Sequence, residues 1–433
     1  MRSQLVWYIC VGTQHDVQSL KQMSEKAIID ISRNFTKSIS TSIPSGFADY
    51  ASVMKRTDQD IRLLLHRYGI KTPHRFSNNW IPNGSGSATA KAYTIQGILK
   101  YHGLADPQWR TAFMPSISVN NDAAYTITYV NFSQELEHDN LHINGEIMYG
   151  NKLNRVVTVL DFVRKLAGIS DRAIVRSKNV VKGGGNGKGL GTSASAGAAL
   201  ATAAIAATLG TEAANDLRLV SCTSRLLSGS GCRSAVGGLA LWLSYPGVTH
   251  EDCFAVRLDT NNQLDDLRLI TVPIESSIGL KTDQAHRTAP HSPFFRNWIE
   301  NRSQDTIQCI DDISQGNWEL VAKLAERDSM RLHGVSMTTN LDDPLIAWEP
   351  ENISLFHMCH RLRAQKIPVY FSTDTGPSIV FLTHSDYQDE VMHNISLLDL
   401  ELDIIPGQIA GPATLLPSSY MFMDLDDLEE SNE

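Results

Sequence analysis

Apolar positions recur at helical spacing in two stretches near the start of this 433-residue chain. Over 16–33 the shared face is Val17, Leu20, Ala27, Ile28 and Ile31; over 46–68 it is Ile61, Leu64 and Leu65, and Gly69 and Pro73 stop the pattern. Asn83-Gly84-Ser85-Gly86-Ser87 is a flexible joint, so residues 1–83 are expected to form an extra N-terminal segment, helical in part and separate from the rest. The period then shortens to two. Residues 88–99 and 116–131 are predicted strands, the second alternating Tyr125, Ile127, Tyr129. Leu153–Ala167 returns to helical spacing, Arg172–Ser177 is a strand, and an alanine-rich helix ends near Gly210. A second half opens with a strand at 268–275 and continues with helices near 304–314, 316–338 and 352–365. The strand Val369–Ser372 runs into the turn Thr373-Asp374-Thr375-Gly376-Pro377, and Ile379–Leu382 continues beyond it. No internal repeat is found. The mixture predicts an α/β (α+β) protein.

Composition narrows the function classes. Hydrophobic residues make up 42% and charged residues 20%, as in ordinary globular enzymes. The net charge is −9, but six acidic residues lie in the last ten positions, Asp424 to Glu433, a tail expected to be disordered. The body is therefore only weakly acidic, with no basic block for nucleic acid. The apolar run at 4–11 is short for a leader and is expected to be a buried strand, and no stretch is expected to be long enough to span a membrane. The six cysteines form no C-x-x-C pair, which argues for free thiols in the cytoplasm and against a zinc site.

Candidate chemistry begins where strand becomes helix. Gly183, Gly184, Gly185 and Gly187 lead into Gly189-Leu190-Gly191-Thr192-Ser193-Ala194. Glycines let the backbone approach an anion, and the first N–H groups of a helix point at it with a favourable dipole. Thr192 and Ser193 add hydroxyls. Tight packing of small residues explains the alanines but not the Gly-Asn-Gly-Lys-Gly lead-in. The order differs from the G-x-x-x-x-G-K-[ST] loop, so this is a different phosphate device.

Gly189–Ala194 resembles the phosphate loop of the GHMP kinase superfamily, and further segments narrow the resemblance to its mevalonate diphosphate decarboxylase branch. Ile98-Leu99-Lys100-Tyr101-His102-Gly103 is similar to Val-Val-Lys-Tyr-Trp-Gly, with Ser116-Ile117-Ser118-Val119 following; Ile143-Asn144-Gly145 is similar to Leu-Asn-Gly. Ser228-Gly229-Ser230-Gly231-Cys232-Arg233-Ser234 resembles Ser-Gly-Ser-Ala-Cys-Arg-Ser, with Gly237-Gly238 and Trp242 in register. Asp328-Ser329 with His333 resembles Asp-Ser-Asn-x-x-His, and Thr373–Pro377 resembles Phe-Asp-Ala-Gly-Pro. The similarity covers roughly 88–412.

The resemblance implies a GHMP-kinase-like two-domain fold: a first domain over 84–265 carrying the phosphate loop, a second over 266–422, and the active site in the cleft between them. It implies decarboxylation of a phosphorylated mevalonate in isoprenoid biosynthesis, in a cytoplasmic enzyme that is a homo-oligomer, a dimer or higher. Catalytic roles carry over to Lys100, Arg233 and Asp374. Substrate or phosphate contacts carry over to Tyr101, Gly189, Gly191, Thr192, Ser193, Ser228, Ser230, Ser234 and His333; no resident metal is implied.

Each residue alone has a plainer reading. Lys100 at a strand end is ordinarily solvated, Arg233 could be a surface ion pair, and Asp374 a turn aspartate. Cys232 reads as a packed thiol, and His333 as either a phosphate contact or a core histidine. Only their joint placement points to chemistry. Three features depart from the family. Leu104 stands where a lysine meets the terminal phosphate of a diphosphate. The loop before Gly189 is about three residues longer than the family's Asn-Asn-Phe-Pro-Thr version, and Tyr93-Thr94-Ile95 replaces its Pro-Val-Asn. Residues 1–83 are additional. These point to mevalonate 3,5-bisphosphate as substrate, giving isopentenyl phosphate, carbon dioxide and phosphate without ATP, as in Thermoplasma-type enzymes. An ATP- and Mg2+-dependent decarboxylase of diphosphomevalonate or phosphomevalonate stays open, as does a small-molecule kinase that does not decarboxylate.

Overall fold

The structure is a computed structural model that describes residues 39–73, 82–184, 190–278, 282–340, 342 and 344–417. The expected elements at 4–11 and 16–33, the loop residues Gly185–Gly189 and the acidic tail lie outside the described residues. In chain order the first elements are α1 (Ala48–Arg67), β1 (Ser87–Leu99), β2 (Leu104–Asp106), β3 (Thr111–Ala112), β4 (Ser116–Ser133), β5 (Asn140–Ile143), β6 (Glu146–Ile147), α2 (Asn151–Ala167) and β7 (Arg172–Val181). Then come α3 (Thr192–Ala214), α4 (Leu217–Arg225), α5 (Gly231–Val236), β8 (Leu239–Trp242), β9 (Ala255–Arg257) and β10 (Leu267–Val272). The last are α6 (Thr282–Thr288), α7 (Phe295–Glu300), α8 (Arg302–Ser314), α9 (Trp318–Met337), α10 (Pro350–Ala364), β11 (Val369–Thr373), β12 (Ile379–His384), α11 (Gln388–Ser396), β13 (Ile405–Gln408) and β14 (Thr414–Leu415).

β4 organises the first sheet. One flank pairs antiparallel with β1 from Ser87↔Asn131 to Leu99↔Ile117. The other flank is shared, by β8 over Ser116–Val119 and by β7 over Ala124–Ser133. The break between those partners is where the second sheet attaches. There Asn121 forms a bridge with Ile409 and donates from Nδ2 to Thr271 Oγ1 at 2.9 Å. The second sheet runs β11-β12-β10-β13, all antiparallel. The chain then returns to the first sheet, where β14 pairs with β1.

α3 lies across β1 and β4, and its alanines explain how closely: Ala198, Ala199, Ala201, Ala203 and Ala204 are fully buried. This helix corrects an expectation from the sequence. By length and composition it could cross a membrane, with a mean hydropathy of 1.4, but 78% of that stretch is buried inside the protein. Its apolar surface is spent on the core. α9 packs on both β11 and β1 and so joins the two sheets.

The N-terminal segment is where structure and sequence reading diverge most. Ile39, Ile61, Leu64, Leu65 and Ile70 belong to the main apolar core, and Tyr50 and Met54 pack with Phe113, Met114, Phe295 and Trp298. Over its described residues the segment is built into the body rather than separate from it. Helical spacing revealed an apolar face on α1, but spacing alone does not say what that face meets.

Candidate active site

β1 ends at Leu99, and Lys100 leaves the strand with its backbone N–H donating to Asp328 Oδ2 at 2.6 Å. Its ammonium is buried and makes three bonds: to Asp374 Oδ1 at 2.7 Å, to Ser372 Oγ at 2.6 Å and to the Gly97 carbonyl at 2.8 Å. An ammonium has three protons, so all are committed. Burial pulls the Lys100 pKa down, and the Asp374 carboxylate opposes that pull. Ser372 closes the network, donating to the Gly97 carbonyl at 2.7 Å and accepting from Gln96 Nε2 at 2.8 Å. Gly97 leaves room for the pair: a Cβ there would lie 2.8 Å from Lys100 Cδ and 2.9 Å from Asp374 Oδ1 and would displace one of them. Asp374 follows β11, and its side chain is 47% exposed, so the pair opens outward through the carboxylate.

Arg233 sits on the short helix α5, buried with its guanidinium over the Tyr101 ring at 5.3 Å and near Trp242 at 5.8 Å. Nη1 donates to Ser116 Oγ and Nη2 to Ser230 Oγ at 3.3 Å, while Nε has no hydrogen-bond partner among the described residues. Burial lowers its pKa, and the Asp374 charge is among the opposing influences. Ser230 also donates toward Tyr101 Oη at 3.5 Å. Tyr101 stacks on His286 with centroids 4.8 Å apart. Lys100, Tyr101, Ser230, Arg233 and Asp374 therefore converge.

The N-terminus of α3 approaches the same strand. Gly191 has a left-handed φ of 69°, and a Cβ there would lie 3.4 Å from the Ile95 carbonyl. Among the described residues no side chain caps this end, its first turn holds no acidic residue, Gly191 and Ser193 are exposed and Thr192 is half-buried. N–H donors at such a helix start fit a phosphate, whether a nucleotide's or a substrate's. Gly189 lies outside the described residues.

Other expected contacts point elsewhere. Ser234 is fully buried and donates to the Tyr93 carbonyl at 2.6 Å. Ser228 shapes the turn, its carbonyl accepting from the Gly231 N–H at 2.8 Å. His333 is fully buried, with Nε2 2.9 Å from Thr373 Oγ1; burial and then the Lys100 charge push it down to about 3, so it is a neutral core histidine under the Asp374 turn. Cys232 is fully buried, and burial drives its thiol pKa far up, which suits packing and not nucleophilic attack.

Sequence reasoning assigned no role to Asp328, Arg302, Gly97 and Ser372. Asp328 is fully buried and accepts from Lys100 N, from Arg302 Nη2 at 2.9 Å and from Trp298 Nε1 at 2.8 Å. The Asp-Ser motif at 328 was the available signal. For Gly97, Ser372 and Arg302 there was none, because each matters through residues distant in sequence.

Residues 92–255 match the family described as diphosphomevalonate decarboxylase-like N-terminal domain. The phosphomevalonate decarboxylase of Haloferax volcanii is 33% identical over 77% of this chain and 98% of its own. The mevalonate 3,5-bisphosphate decarboxylase of Thermoplasma acidophilum is 29% identical over 86% of this chain and 89% of its own. A solved structure of the mevalonate diphosphate decarboxylase from Enterococcus faecalis superposes with a TM-score of 0.69 at 28% identity, covering 77% of this chain and 99% of that one. The mevalonate-3-kinase of Thermoplasma acidophilum shares the fold alone, with a TM-score of 0.63 at 15% identity, covering 77% of this chain and 98% of its own. The chain belongs to the diphosphomevalonate decarboxylase family within the GHMP-kinase-like fold.

Proposed function

We propose that this protein decarboxylates a mevalonate carrying a single phosphate at C5, and that its substrate is mevalonate 3,5-bisphosphate. The observation that carries the reading is the grouping of the buried cations Arg233 and Lys100 with the exposed carboxylate of Asp374. In the reaction the bond from C2 to the carboxylate breaks and its electron pair forms the alkene. The C3–O bond breaks in the same direction, its pair leaving with phosphate. The products are isopentenyl phosphate, carbon dioxide and inorganic phosphate.

Arg233 has the planar fork that suits a carboxylate, and its unpartnered Nε marks unused donor capacity. The N-terminus of α3 supplies donors for the departing phosphate. Lys100, its protons committed, acts as a fixed cation that sets the position of Asp374. With phosphate already at C3, Asp374 has no hydroxyl to deprotonate, and it orients the reacting carbon. Cys222, Cys232, Cys253, Cys309 and Cys359 are free and buried, which supports a reducing, cytoplasmic setting.

Leu104, apolar and paired with Ala112 in β2, supports a monophosphate at C5. The match to the Thermoplasma bisphosphate enzyme covers more of this chain than residues 84–433 can hold, so it takes in part of the N-terminal segment. A second reading has its own support in the higher identity to a phosphomevalonate decarboxylase. There ATP with Mg2+ would supply the C3 phosphoryl group, held at the α3 terminus, and Asp374 would take the C3 hydroxyl proton. Carbon dioxide release from mevalonate 3,5-bisphosphate and from mevalonate 5-phosphate, each with and without ATP, tests both. Turnover of the bisphosphate without ATP is expected; strict ATP dependence with the 5-phosphate would replace the first reading by the second.

A further inference from the structure

Successive residues of a strand point to opposite faces of its sheet. In the first sheet Ala90 and Ala92 of β1 are fully buried, and Thr126 Oγ1, on the residue paired with Ala92, lies 2.7 Å from Ser195 Oγ of α3. These positions mark the face under that helix. The alternate positions form the other face, and cross-strand pairing sets them in rows: Tyr93, Tyr125 and Val180; Lys91, Ile127 and Lys178; Thr89, Tyr129 and Arg176. Lys91 Nζ sits 3.8 Å from the centroid of Tyr125 and 4.7 Å from that of Tyr93. Arg176 is exposed, and Lys91, Lys178 and the three tyrosines are half-buried. The side chains of Lys91, Arg176 and Lys178 have no ion pair or hydrogen bond among the described residues. Residues 87–93, 125–133 and 172–181 contain no Asp or Glu. A platform of tyrosines with uncompensated cations thus stands on a chain whose net charge is −9.

Acid that can balance these cations leaves from the same sheet. β14 lies at the edge beside β1, with Thr414 opposite Lys91, and the Leu416 N–H donates to the Thr89 carbonyl at 2.9 Å. Residues 418–433, outside the described residues, follow directly. They hold six acidic residues and no Lys or Arg, and Tyr420, Met421, Phe422 and Met423 precede the first acid, Asp424. Seven residues of chain lead from Pro417 to Asp424, an extended reach of roughly 23–25 Å. The sheet order β14-β1-β4-β7 puts β7 three strand spacings from β14, roughly 14 Å. We propose that this face of the first sheet seats the chain's own residues 420–433, the apolar ones on the tyrosines and the carboxylates on Lys91, Arg176 and Lys178. Aromatic and thioether groups pack well on tyrosine rings. Single exposed ion pairs add little, but tethering gives the segment a local concentration in the millimolar range and so an advantage over any outside polyanion.

The test uses the full chain and a zero-length carbodiimide, which couples a lysine amine to a carboxylate in contact with it. Mass spectrometry is expected to find Lys91 and Lys178 joined to acids among residues 424–433, well ahead of Lys152, an exposed lysine on α2. The yield should not depend on protein concentration, and it should be lost in 1 M salt, where the screening length is about 3 Å. Arg176→Glu keeps both lysines and should lower the yield, with Arg176→Gln in its place if the unfolding midpoint shows that the reversal does not fold. Heparin serves as a competing polyanion. It should bind at least about 10-fold more tightly when Asp424, Asp426, Asp427, Glu429 and Glu430 are changed to their amides, and Lys91→Gln with Arg176→Gln and Lys178→Gln should abolish that gain. Coupling no greater than at Lys152 overturns the proposal, as does a yield unchanged in the folded Arg176 variant. Coupling that rises with protein concentration makes a second copy the occupant and overturns it too. Heparin binding that is the same with and without the tail carboxylates shows the face uncovered and has the same consequence.

Discussion

Two of the carboxylates paired with cations in this part of the molecule are built on opposite principles. At Lys100–Asp374 the cation is buried and every proton on it is fixed by Asp374, Ser372 and Gly97. At Arg110–Asp283–Arg155 one carboxylate serves two cations, one at 3.6 Å, and side-chain exposure reaches 34% for Arg155 and 45% for Asp283. Burial pushes the Asp283 carboxyl up, but the Arg110 hydrogen bond and the charges of both arginines outweigh it and hold it below the ordinary range. The first arrangement has little freedom to rearrange; the second, half-exposed and with one long contact, has more. Fixed charges are what stabilise developing charge in a reaction.

Substitutions can break this comparison, and the largest effect is expected at the rigid end. Asp374→Asn should lower kcat about 100-fold or more with little change in stability, because the amide keeps the shape but not the charge. Near-parental turnover would remove Asp374 from the chemistry. Gly97→Ala should approach the same loss without touching a reacting group. Its Cβ must displace Lys100 or Asp374, and misplacement of about 1 Å can cost about 100-fold; a crystal structure of the variant with an undisturbed pair would refute this. Arg233→Lys keeps charge and loses the fork, so kcat/KM should drop roughly 10- to 100-fold. The same swap at the looser pair, Arg155→Lys, should change KM only a few-fold. If the two lysine variants were equally impaired, the contrast between the regions would be wrong.

Acid pH sharpens the comparison from beneath. Burial pushes His102 down to about 4, and His333 near Asp374 is about 3. In the unfolded chain these imidazoles bind protons near pH 6.5, so unfolding takes up protons at lower pH. Their contribution is present above about 6.5 and is lost as pH falls through 6.5 toward 4. An unfolding midpoint roughly a few degrees lower at pH 5 than at pH 7 is expected, and His102→Gln should flatten the dependence. An unchanged slope in that variant would assign the acid sensitivity elsewhere.

The sequence made the long elements legible. The predicted strand 88–99 is Ser87–Leu99, and the predicted helix 316–338 is Trp318–Met337, because burial on one face writes its period into the residues. Arg172–Ser177 continues to Val181, and the alanine-rich helix passes Gly210, where the backbone kinks, to end at Ala214. Two-residue strands such as β3 and β14 have no room for a period and were invisible. For the site, motifs brought forward Lys100, Arg233 and Asp374. They carried no sign that Lys100 spends its protons on Ser372 and Gly97, or that Arg110 and Arg155 meet at Asp283, since those contacts join residues scattered through the chain.

The N-terminal segment adds a question of timing. Thr41 Oγ1 donates to the Val248 carbonyl, 207 residues away, and the His250 N–H donates to the Ile39 carbonyl. Ser42 holds Asp106 through its backbone N–H at 2.8 Å and its hydroxyl at 3.0 Å, and Asp106 also accepts the Trp109 N–H beside Arg110. During synthesis this segment emerges about two hundred residues ahead of its partners at 248–250. Contacts of such separation carry a loop-closure cost and form slowly. Ile61, Leu64 and Leu65 must therefore wait uncovered, a window for aggregation or chaperone capture. The hairpin bearing Arg110 gains its Ser42 brace only when residues 39–42 dock, so this hairpin should settle among the last events of folding.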